Sequence, residues 1–398
     1  MNAMAPIRPG GEGSRLQGIL AFVQDSESET MLRRVAGQLA LPNFDVRRGG
    51  VDVAVKDLKA ERSPALLFID VTGIDRVLDA VQALSDVCEP QLQVVVIGAT
   101  NDVGLYRALI RMGVADYLFK PMTAELLEAV IWRLMSGTER EGQGRLGKLV
   151  AVSGARGGAG ASSIAANVAS YLADKASRRV CLIDLDVTTG AQAMLLGTRP
   201  NAGLAEALEV PGRVDDLFLE RATISVSPRL GLLASEMPAG RVPVITSEAA
   251  EALLGRLQRN YHYVVMDIPI AVRELCAPLL AAVHAQLLVT EATLLGARDA
   301  GTRLNVGGGQ RIVLVHNKAG RPGDLSAEDF ATGLRRQPDA TIPFLPRVFG
   351  SAINLGRPAW QDEPRAETAI AILARELSGQ PVRTEPIPAW KRLIGLAP

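Results

Sequence analysis

The sequence predicts an α/β protein built from two doubly wound sheets. Short apolar runs, typical of strands buried on both faces, alternate with apolar residues at helical spacing along most of the chain. A polar, glycine-rich stretch at 136–147 interrupts this alternation and predicts a linker. With 398 residues, of which 48% are hydrophobic and 22% charged, the chain is long enough for two domains with separate cores.

The composition argues against several classes of protein. Lys+Arg 43 balances Asp+Glu 43, so no overall positive charge favours nucleic acid or anionic lipid. The 3 cysteines lie in or beside apolar segments without paired spacing, as expected of reduced core residues in a cytosolic protein. No apolar run approaches the roughly 20 residues that span a bilayer, so any membrane contact is expected to be peripheral. The 3 histidines share no metal-ligand spacing and are expected to be ordinary surface or strand-end residues.

The first predicted domain covers 19–135. The segment 1–18 before it lacks an apolar core, so it is expected to be a flexible lead-in and not a secretory signal. The predicted strands are Ile19–Val23, Ala65–Asp70 and Gln93–Ile97, and the run Ala115–Pro121 closes the series. Helical spacing follows the first strand, separates the second from the third, and covers Glu125–Met135. This order predicts a parallel sheet with helices on both faces.

Polar residues at the ends of the predicted strands follow the pattern of a known domain family. Asp25 follows the first strand, Asp70 ends the next, and Lys120 precedes a proline. This order resembles the flavodoxin-like receiver domain of response regulators. That family binds Mg²⁺ with an acidic pair after the first strand and is phosphorylated on an aspartate at the position of Asp70. Gln24 replaces one acidic residue, and Gly98 stands where that family has a switch hydroxyl. The resemblance implies an atypical domain with a vestigial phosphoacceptor site (Asp25, Asp70 and Lys120), used for docking or dimerisation. From the residues alone, Asp70 could equally cap a turn and pair with Lys120.

The second predicted domain, 148–380, begins with an apolar strand, a glycine-rich turn and a helix. Gly157, Gly158 and Gly160 lack a Cβ, so successive backbone N–H groups can face an anion at the positive end of the helix. The pattern predicts a phosphate-binding loop, although a tight turn in any α/β protein would look similar. The candidate nucleotide-binding residues of this segment are Arg156, Gly157, Gly158, Ala159, Gly160, Ala161, Ser162 and Ser163.

This turn differs from the P-loop pattern G-x-x-x-x-G-K-S/T in its charge. Ala155 replaces the first glycine, Ala161 replaces the phosphate-binding lysine, and Ser162 keeps the hydroxyl that would meet Mg²⁺. The turn resembles the deviant P-loop K-G-G-x-G-K-S/T of the ParA/MinD superfamily, with both lysines replaced. Arg156 stands in place of that family's signature lysine, which reaches across a dimer to the partner's nucleotide.

Two later apolar runs end in aspartates. Asp184 and Asp186 close the run from Arg179 and should lie at the carboxyl end of a strand, where open α/β sheets bind ligands. They could instead cap the next segment. The resemblance places them at the family's switch-I pair and implies a catalytic role around Mg²⁺ and the attacking water. Asp267 ends the run from Tyr261 like a Walker B aspartate and is expected to hold a water of the Mg²⁺ shell, with Ser162 as the other metal contact.

A strand at Arg311–Val315 leads to Asn317, where members of the superfamily place a side-chain amide against the adenine. A loop asparagine without that role is the alternative. The runs Asn317–Ser326 and Ile342–Pro358 resemble the CpaE/TadZ branch, associated with Flp-type (tight adherence) pili. That branch also joins a receiver-like domain to a ParA/MinD-like ATPase domain.

The resemblance implies a cytoplasmic homodimer that binds ATP or ADP with Mg²⁺, possesses no specific nucleic-acid partner, and acts at the inner-membrane face or the cell pole. Its implied partners are the pilus or secretion machinery, including the secretion ATPase and inner-membrane platform. The tail 381–398 carries Trp390, Leu393 and Ile394 at helical spacing beside Lys391 and Arg392. This tail is predicted to dock on its own domain or a partner, or to lie on a membrane surface.

Loss of the lysine shapes the functional hypothesis. A charged contact of this kind contributes about 1.5–3 kcal/mol to binding, and positioned cations contribute more to phosphoryl transfer. The leading hypothesis is a nucleotide-binding localisation and assembly factor for Flp-type pili with weak or absent ATP hydrolysis. One alternative is an active ParA-like partitioning ATPase that positions DNA or protein cargo. Another is a signalling output protein switched by phosphorylation of Asp70.

Overall fold

A computed structural model describes residues 18–39, 41, 43–135, 146–238, 244–305 and 310–378. The predicted lead-in before Gly18, most of the predicted linker, and the tail 381–398 lie outside these ranges. None of the described helices is long and apolar enough to cross a bilayer.

The first sheet has five parallel strands in the order β2-β1-β3-β4-β5. Its strands are β1 (Ile19–Val23), β2 (Phe44–Arg48), β3 (Leu66–Asp70), β4 (Gln93–Gly98) and β5 (Asp116–Phe119). Its helices are α1 (Ser26–Gln38), α2 (Val51–Ala60), α3 (Val77–Ser85), α4 (Val103–Arg111) and α5 (Ala124–Met135). One apolar cluster packs under α1 and α5, and a second packs under α2, α3 and α4.

The second sheet has eight strands in the order β13-β12-β11-β6-β10-β7-β9-β8, all parallel to their neighbours except β8. Its strands are β6 (Lys148–Gly154), β7 (Val180–Asp184), β8 (Ile224–Ser227), β9 (Leu230–Leu233), β10 (Tyr263–Asp267), β11 (Ala285–Thr290), β12 (Arg311–Ala319) and β13 (Ala340–Pro343). Its α-helices are α6 (Ala161–Asp174), α7 (Gln192–Leu195), α8 (Gly203–Glu209), α9 (Asp216–Ala222), α10 (Ser247–Asn260), α11 (Ala277–Ala281), α12 (Leu294–Asn305), α13 (Ala327–Leu334), α14 (Pro346–Leu355) and α15 (Pro364–Ser378). The prediction of two doubly wound α/β sheets is confirmed.

Helices cover both faces of the second sheet. On one face α6 packs with α15 and Trp360, whose indole N–H donates to the Ser170 hydroxyl at 2.8 Å. On the other face α8 and α10 pack over β6, β7 and β10. These two layers exclude water from both sides of the central strands, which explains why those strands read as continuous apolar runs.

Parallel register brings the predicted site residues to one edge of the second sheet. β6 lies between β10 and β11, and β10 pairs in turn with β7. Asp267 is the register partner of Val152 in β6 and of Asp184 in β7. The glycine-rich turn leaves the same carboxyl end of β6, so the aspartates and the turn lie together.

The two domains contact each other at the amino ends of the second sheet's strands, just before β7 and β10 begin. Arg179 forms an ion pair of 2.6 Å with Glu89 of the first sheet's domain. The His262 ring accepts from the Arg179 N–H through Nδ1 at 2.9 Å, and its Nε2 contacts the Cys88 carbonyl oxygen. Arg229 donates to the Leu58 carbonyl at 2.9 Å. These contacts fix the first domain against the amino ends of the second domain's strands.

Candidate nucleotide and metal site

The glycine-rich turn requires glycine at two of its positions. Gly158 and Gly160 have φ angles of +81° and +91°, in the left-handed region that disfavours other residues. A Cβ added to Gly160 would lie 2.4 Å from Asn317 Nδ2. A Cβ added to Gly157 or Gly158 would meet no atom within 4 Å, so the outer side of the turn is open.

The turn presents a group of free backbone donors. Within the described parts of the chain, no acceptor receives the backbone N–H groups of Gly157, Gly158, Gly160, Ala161, Ser162 and Ser163. The last members of this set form the first turn of α6, at the positive end of its helix dipole. An open turn of free N–H groups suits the oxygens of a polyphosphate.

Two side chains from the end of β12 hold the turn from behind. The Asn317 amide donates to the Ala159 carbonyl at 2.8 Å, and the Lys318 ammonium donates to the Gly158 carbonyl at 2.8 Å. Lys318 also pairs with Glu291. These contacts turn the carbonyls of the loop away from the open side. Asn317 therefore lies behind the loop, and its contact with an adenine stays a prediction.

Arginine side chains lie beside the turn, although Ala161 replaces the P-loop lysine. A cavity of about 720 Å³ is lined by Arg156, Arg273 and Arg303, together with parts of α11 and α12. The Arg303 guanidinium donates to the Ala155 carbonyl at 3.0 Å through Nε. Arg156 is half-buried, and its guanidinium has no hydrogen-bond or ion-pair partner among the described residues. Sequence reasoning singled out Arg156 but missed Arg273, Arg303 and Lys318, because their contacts join segments far apart in the chain.

The candidate metal residues meet beside the start of α6. Asp267 is almost fully buried, and its carboxylate is hydrogen-bonded by the Ser162 side chain. The Gln192 amide donates to Asp267 Oδ2 at 2.7 Å and to the Ser162 carbonyl at 2.9 Å. Burial raises the pKa of Asp267. Sequence reasoning missed Gln192, which lies in α7, beyond the aspartates.

These residues fit a magnesium ion with its water shell. Gln192 Oε1 is buried and has no hydrogen-bond partner among the described groups. It lies in the same cluster as the Ser162 hydroxyl and the Asp267 carboxylate, and oxygen ligands of this kind suit Mg²⁺. An orphaned acceptor beside a buried carboxylate is the expected signature of a site completed by a cation or water.

Asp184 and Asp186 have different surroundings. Asp184 Oδ2 accepts the Gln192 backbone N–H at 2.9 Å, and burial together with the Asp267 charge raises the pKa of Asp184 to about 7. The Asp186 carboxylate accepts hydrogen bonds within the turn that follows it, from the backbone N–H and hydroxyl groups of Thr188 and Thr189. Burial opposes ionisation there, but the Thr189 and Thr188 hydrogen bonds lower the pKa of Asp186. The structure thus brings Asp184 to Asp267 and keeps the Asp186 carboxylate within its own turn.

In the first domain, donors surround the Asp70 carboxylate completely. Oδ1 accepts from the Thr72 N–H and hydroxyl, at 2.9 and 2.6 Å. Oδ2 accepts from the Gln24 N–H at 3.1 Å and from the Lys120 ammonium at 2.6 Å. Lys120 also pairs with Asp25, which caps α1 by accepting the Ser28 N–H. Asp25, Asp70 and Lys120 therefore form one ion-pair cluster.

Tyr117 occupies the space beside Gly98, where the receiver family has its switch hydroxyl. A Cβ added to Gly98 would lie 2.5 Å from the Tyr117 hydroxyl oxygen. That hydroxyl donates to the Thr100 carbonyl at 2.7 Å. The absence of a side chain at position 98 is therefore matched by a neighbour that fills the gap.

Comparisons with known proteins agree with this architecture. No family model and no curated protein matches the sequence. A ParA family ATPase from Chlorobium tepidum TLS has 22% identity and a TM-score of 0.53, over 58% of this chain and 98% of its own. The cell division ATPase MinD of Pyrococcus furiosus has 22% identity and a TM-score of 0.51, over 59% of this chain and 100% of its own. These likenesses show the ParA/MinD fold.

A further solved structure is similar over a shorter part of the chain. The pilus assembly protein CpaE from Caulobacter crescentus CB15 has 32% identity and a TM-score of 0.28, over 29% of this chain, in its N-terminal part, and 98% of its own. That identity extends over nearly the whole solved CpaE chain, and the ParA/MinD fold accounts for the second sheet. The chain is therefore CpaE-like in its N-terminal part and has the ParA/MinD fold in its second domain.

Proposed function

We propose that this protein is a nucleotide-binding, dimeric localisation and assembly factor for Flp-type pili, with weak or absent ATP hydrolysis. The observation that carries the proposal is the set of free backbone donors at 157, 158 and 160–163, in a turn whose lysine positions hold Arg156 and Ala161. Such a turn can bind polyphosphate through its backbone while lacking the cation that most P-loops use.

In this proposal, ATP or ADP binds with its phosphates on the N–H groups of the turn. Ser162 and Asp267 hold Mg²⁺, Asp267 through a water, and Asn317 contacts the adenine. A bound magnesium ion neutralises charge on the phosphate oxygens. Arg156 supplies the remaining cation of the turn, either to its own nucleotide or to the nucleotide of a second copy.

Slow hydrolysis follows from the charges around the site. Without a lysine at position 161, less positive charge is positioned to stabilise the transition state of phosphoryl transfer. Asp184 and Asp186, the proposed catalytic pair, already accept hydrogen bonds from Gln192 and from the Thr188–Thr189 turn. A protein of this kind responds to which nucleotide is bound more than it consumes ATP.

The pilus role is supported by the similarity to a solved pilus assembly protein, CpaE. We assign the receiver-like domain to 19–135 and the nucleotide-binding domain to 148–380. Because Asp70 is fully engaged by donors, the first domain is proposed to act as a docking surface for the pilus or secretion machinery. Its expected partners are the secretion ATPase and inner-membrane platform, at the cytoplasmic membrane face or the cell pole.

The proposal is tested by titrating the full-length protein with fluorescent ATP and ADP analogues in the presence of Mg²⁺. We expect saturable binding, a mass corresponding to a dimer with ATP in light scattering, and phosphate release close to the uncatalysed rate. Absence of nucleotide binding would refute the proposal. Turnover at the rate of an ordinary ParA-type ATPase would instead favour the partitioning alternative.

A further inference from the structure

Gln192 contacts three parts of the candidate metal site at once. Its side-chain amide reaches Asp267 Oδ2 at 2.7 Å and the Ser162 carbonyl at 2.9 Å, and its backbone N–H reaches Asp184 Oδ2 at 2.9 Å. The residue is fully buried. One residue thus bridges the end of β10, the start of α6 and the end of β7.

The amide group does part of what a divalent cation would do. Its two N–H donors place partial positive charge against a buried carboxylate and a carbonyl. We propose that Gln192 is a positioning residue that competes with the divalent cation for Asp267, and so sets the magnesium concentration at which nucleotide binds. This inference rests on the proposed function, because it concerns the same metal residues.

The orphaned oxygen of Gln192 indicates that the present arrangement is one of two. Oε1 is buried without a partner among the described groups, and a buried unsatisfied acceptor costs about 1–3 kcal/mol. Turning the amide over would place Oε1 against the Asp267 carboxylate, so the observed orientation is the better of the two. A cation at Asp267 removes the need for the amide donors and allows the side chain to turn its oxygen towards the ion or its water.

Release of Gln192 would also affect Asp184, because the same residue donates its backbone N–H to that carboxylate. The connecting segment leaves little room for independent movement. A Cβ on Gly190 would lie 2.4 Å from Asp184 Oδ2 and 2.4 Å from the Asp186 carbonyl oxygen. Metal binding at Asp267 is therefore coupled to the position of the segment 184–192.

The first test uses Mn²⁺ alone, measured by electron paramagnetic resonance on the nucleotide-free full-length protein. Gln192→Leu removes the amide donors, and we expect it to bind Mn²⁺ about ten-fold more tightly than the wild type. Gln192→Asn, whose shorter amide does not span Asp267 and Ser162, should change affinity in the same direction and provides a polar variant should the leucine variant fail to fold. Asp267→Asn should abolish the gain in both backgrounds.

The matched control is Gln286→Leu. Gln286 is an equally buried glutamine of the same sheet, and its amide donates to the Ser153 hydroxyl at 2.8 Å. Loss of this amide should leave Mn²⁺ affinity within about two-fold of the wild type, because it does not contact Asp267. A comparable gain in Gln286→Leu would mean that any buried amide deletion has the effect, and would overturn the inference.

The second test is an ADP titration over a range of Mg²⁺ concentrations. Gln192→Leu should lower the half-maximal Mg²⁺ concentration about ten-fold. If both Gln192 variants bind the metal no more tightly than the wild type, Gln192 does not compete with the cation. This conclusion holds whether or not ADP binding changes. Failure of every variant to bind ADP refutes the proposed function, and the Mn²⁺ comparison then still decides the inference.

Discussion

At position 161, this loop carries a methyl group where an ordinary P-loop carries a lysine side chain. Ala161 begins α6 beside free N–H groups, so a longer side chain placed there would start at the phosphate-binding edge. The backbone geometry that receives phosphate, including the left-handed Gly158 and Gly160, is nevertheless present. What the loop lacks for phosphate binding is therefore a positive charge, which a substitution at position 161 can restore without changing the backbone.

We expect Ala161→Lys to tighten ATP binding about 10–100-fold, because a charge-assisted contact with phosphate contributes about 1.5–3 kcal/mol. Phosphate release should rise as well. Isothermal titration with ATP and Mg²⁺ measures the first effect. Ala161→Met is the control, since it adds similar length without charge. Equal affinity of the lysine and methionine variants would show that the lysine position does not face the phosphates.

Gly98 offers a test of the lost switch. Its missing Cβ would stand 2.5 Å from the Tyr117 hydroxyl oxygen, so Gly98→Ser should lower the free energy of unfolding by about 1–3 kcal/mol through overpacking. Urea denaturation measures the loss. Combining Gly98→Ser with Tyr117→Ala should recover part of it, because the two side chains share one space. Strictly additive losses would contradict this explanation.

Sequence reasoning found the residues whose position is set by local backbone structure. The glycines of the turn, Ser162 and Asp267 come to one edge of the sheet as expected. It could not find Gln192 or Lys318, whose contacts depend on tertiary approach between α7, the end of β12 and the loop. It also grouped Asp184 with Asp186, because alternation along a strand does not reveal that the chain turns at Thr188.

Among the elements, the fully buried strands were the predictable ones. β1, β3, β4, β6 and β10 are continuous apolar runs, since helices cover both of their faces. β2 (Phe44–Arg48) escaped prediction because it is an edge strand that carries Asp45, Arg47 and Arg48. Its charged side chains serve ion pairs on the surface instead of a core. Such strands show little apolar signal by themselves.

The short segment that leads into β10 contains a titratable contact. His262 was expected to be an ordinary strand-end residue, but it contacts the first domain through Nε2 and accepts the Arg179 N–H through Nδ1. This pattern holds the ring as the neutral tautomer with its proton on Nε2. Burial, followed by the charges of Arg178 and other nearby arginines, lowers the pKa of His262 to about 4.

We expect acid to destabilise the protein through this ring. Below about pH 6.5 the unfolded chain binds a proton at His262, while the folded chain binds it only near pH 4, so stability falls as pH falls through this window. The full effect is up to about 3 kcal/mol. Chemical denaturation between pH 7 and 4 gives the free energy of unfolding of the wild type and of His262→Gln at each pH. The difference between the two proteins in the slope of this free energy against pH measures the effect. Identical slopes would contradict the prediction.

For the whole molecule, the arrangement of the two domains depends on a few polar contacts. The Glu89 carboxylate is buried, pairs with Arg179 at 2.6 Å, and lies 3.7 Å from Arg62. The Arg179 guanidinium also stacks over the Tyr261 ring at 5.1 Å. Patterning along the sequence predicted two α/β units but gave no information on these contacts, because neither partner shows a local signal.

We expect Glu89→Ala to lower the free energy of unfolding by about 3 kcal/mol, because it leaves the Arg179 charge partly buried without its carboxylate. A double-mutant cycle with Arg179→Ala should give a coupling free energy of about 1 kcal/mol or more. Arg33→Ala with Glu29→Ala, an exposed pair within α1, serves as the control and should couple by less than about 0.5 kcal/mol. Coupling no larger than in this control would show that the ion pair does not join the domains energetically.

The placement of the first domain has a consequence for assembly. It rests on the amino ends of β7 and β10, whereas the free N–H groups lie past the carboxyl end of β6, about 15 Å away across strands of five to seven residues. On the proposed function, a partner bound to the first domain would therefore leave the entrance for nucleotide uncovered. ADP would then exchange for ATP while the protein stays bound in a larger complex, with no need to dissociate and bind again.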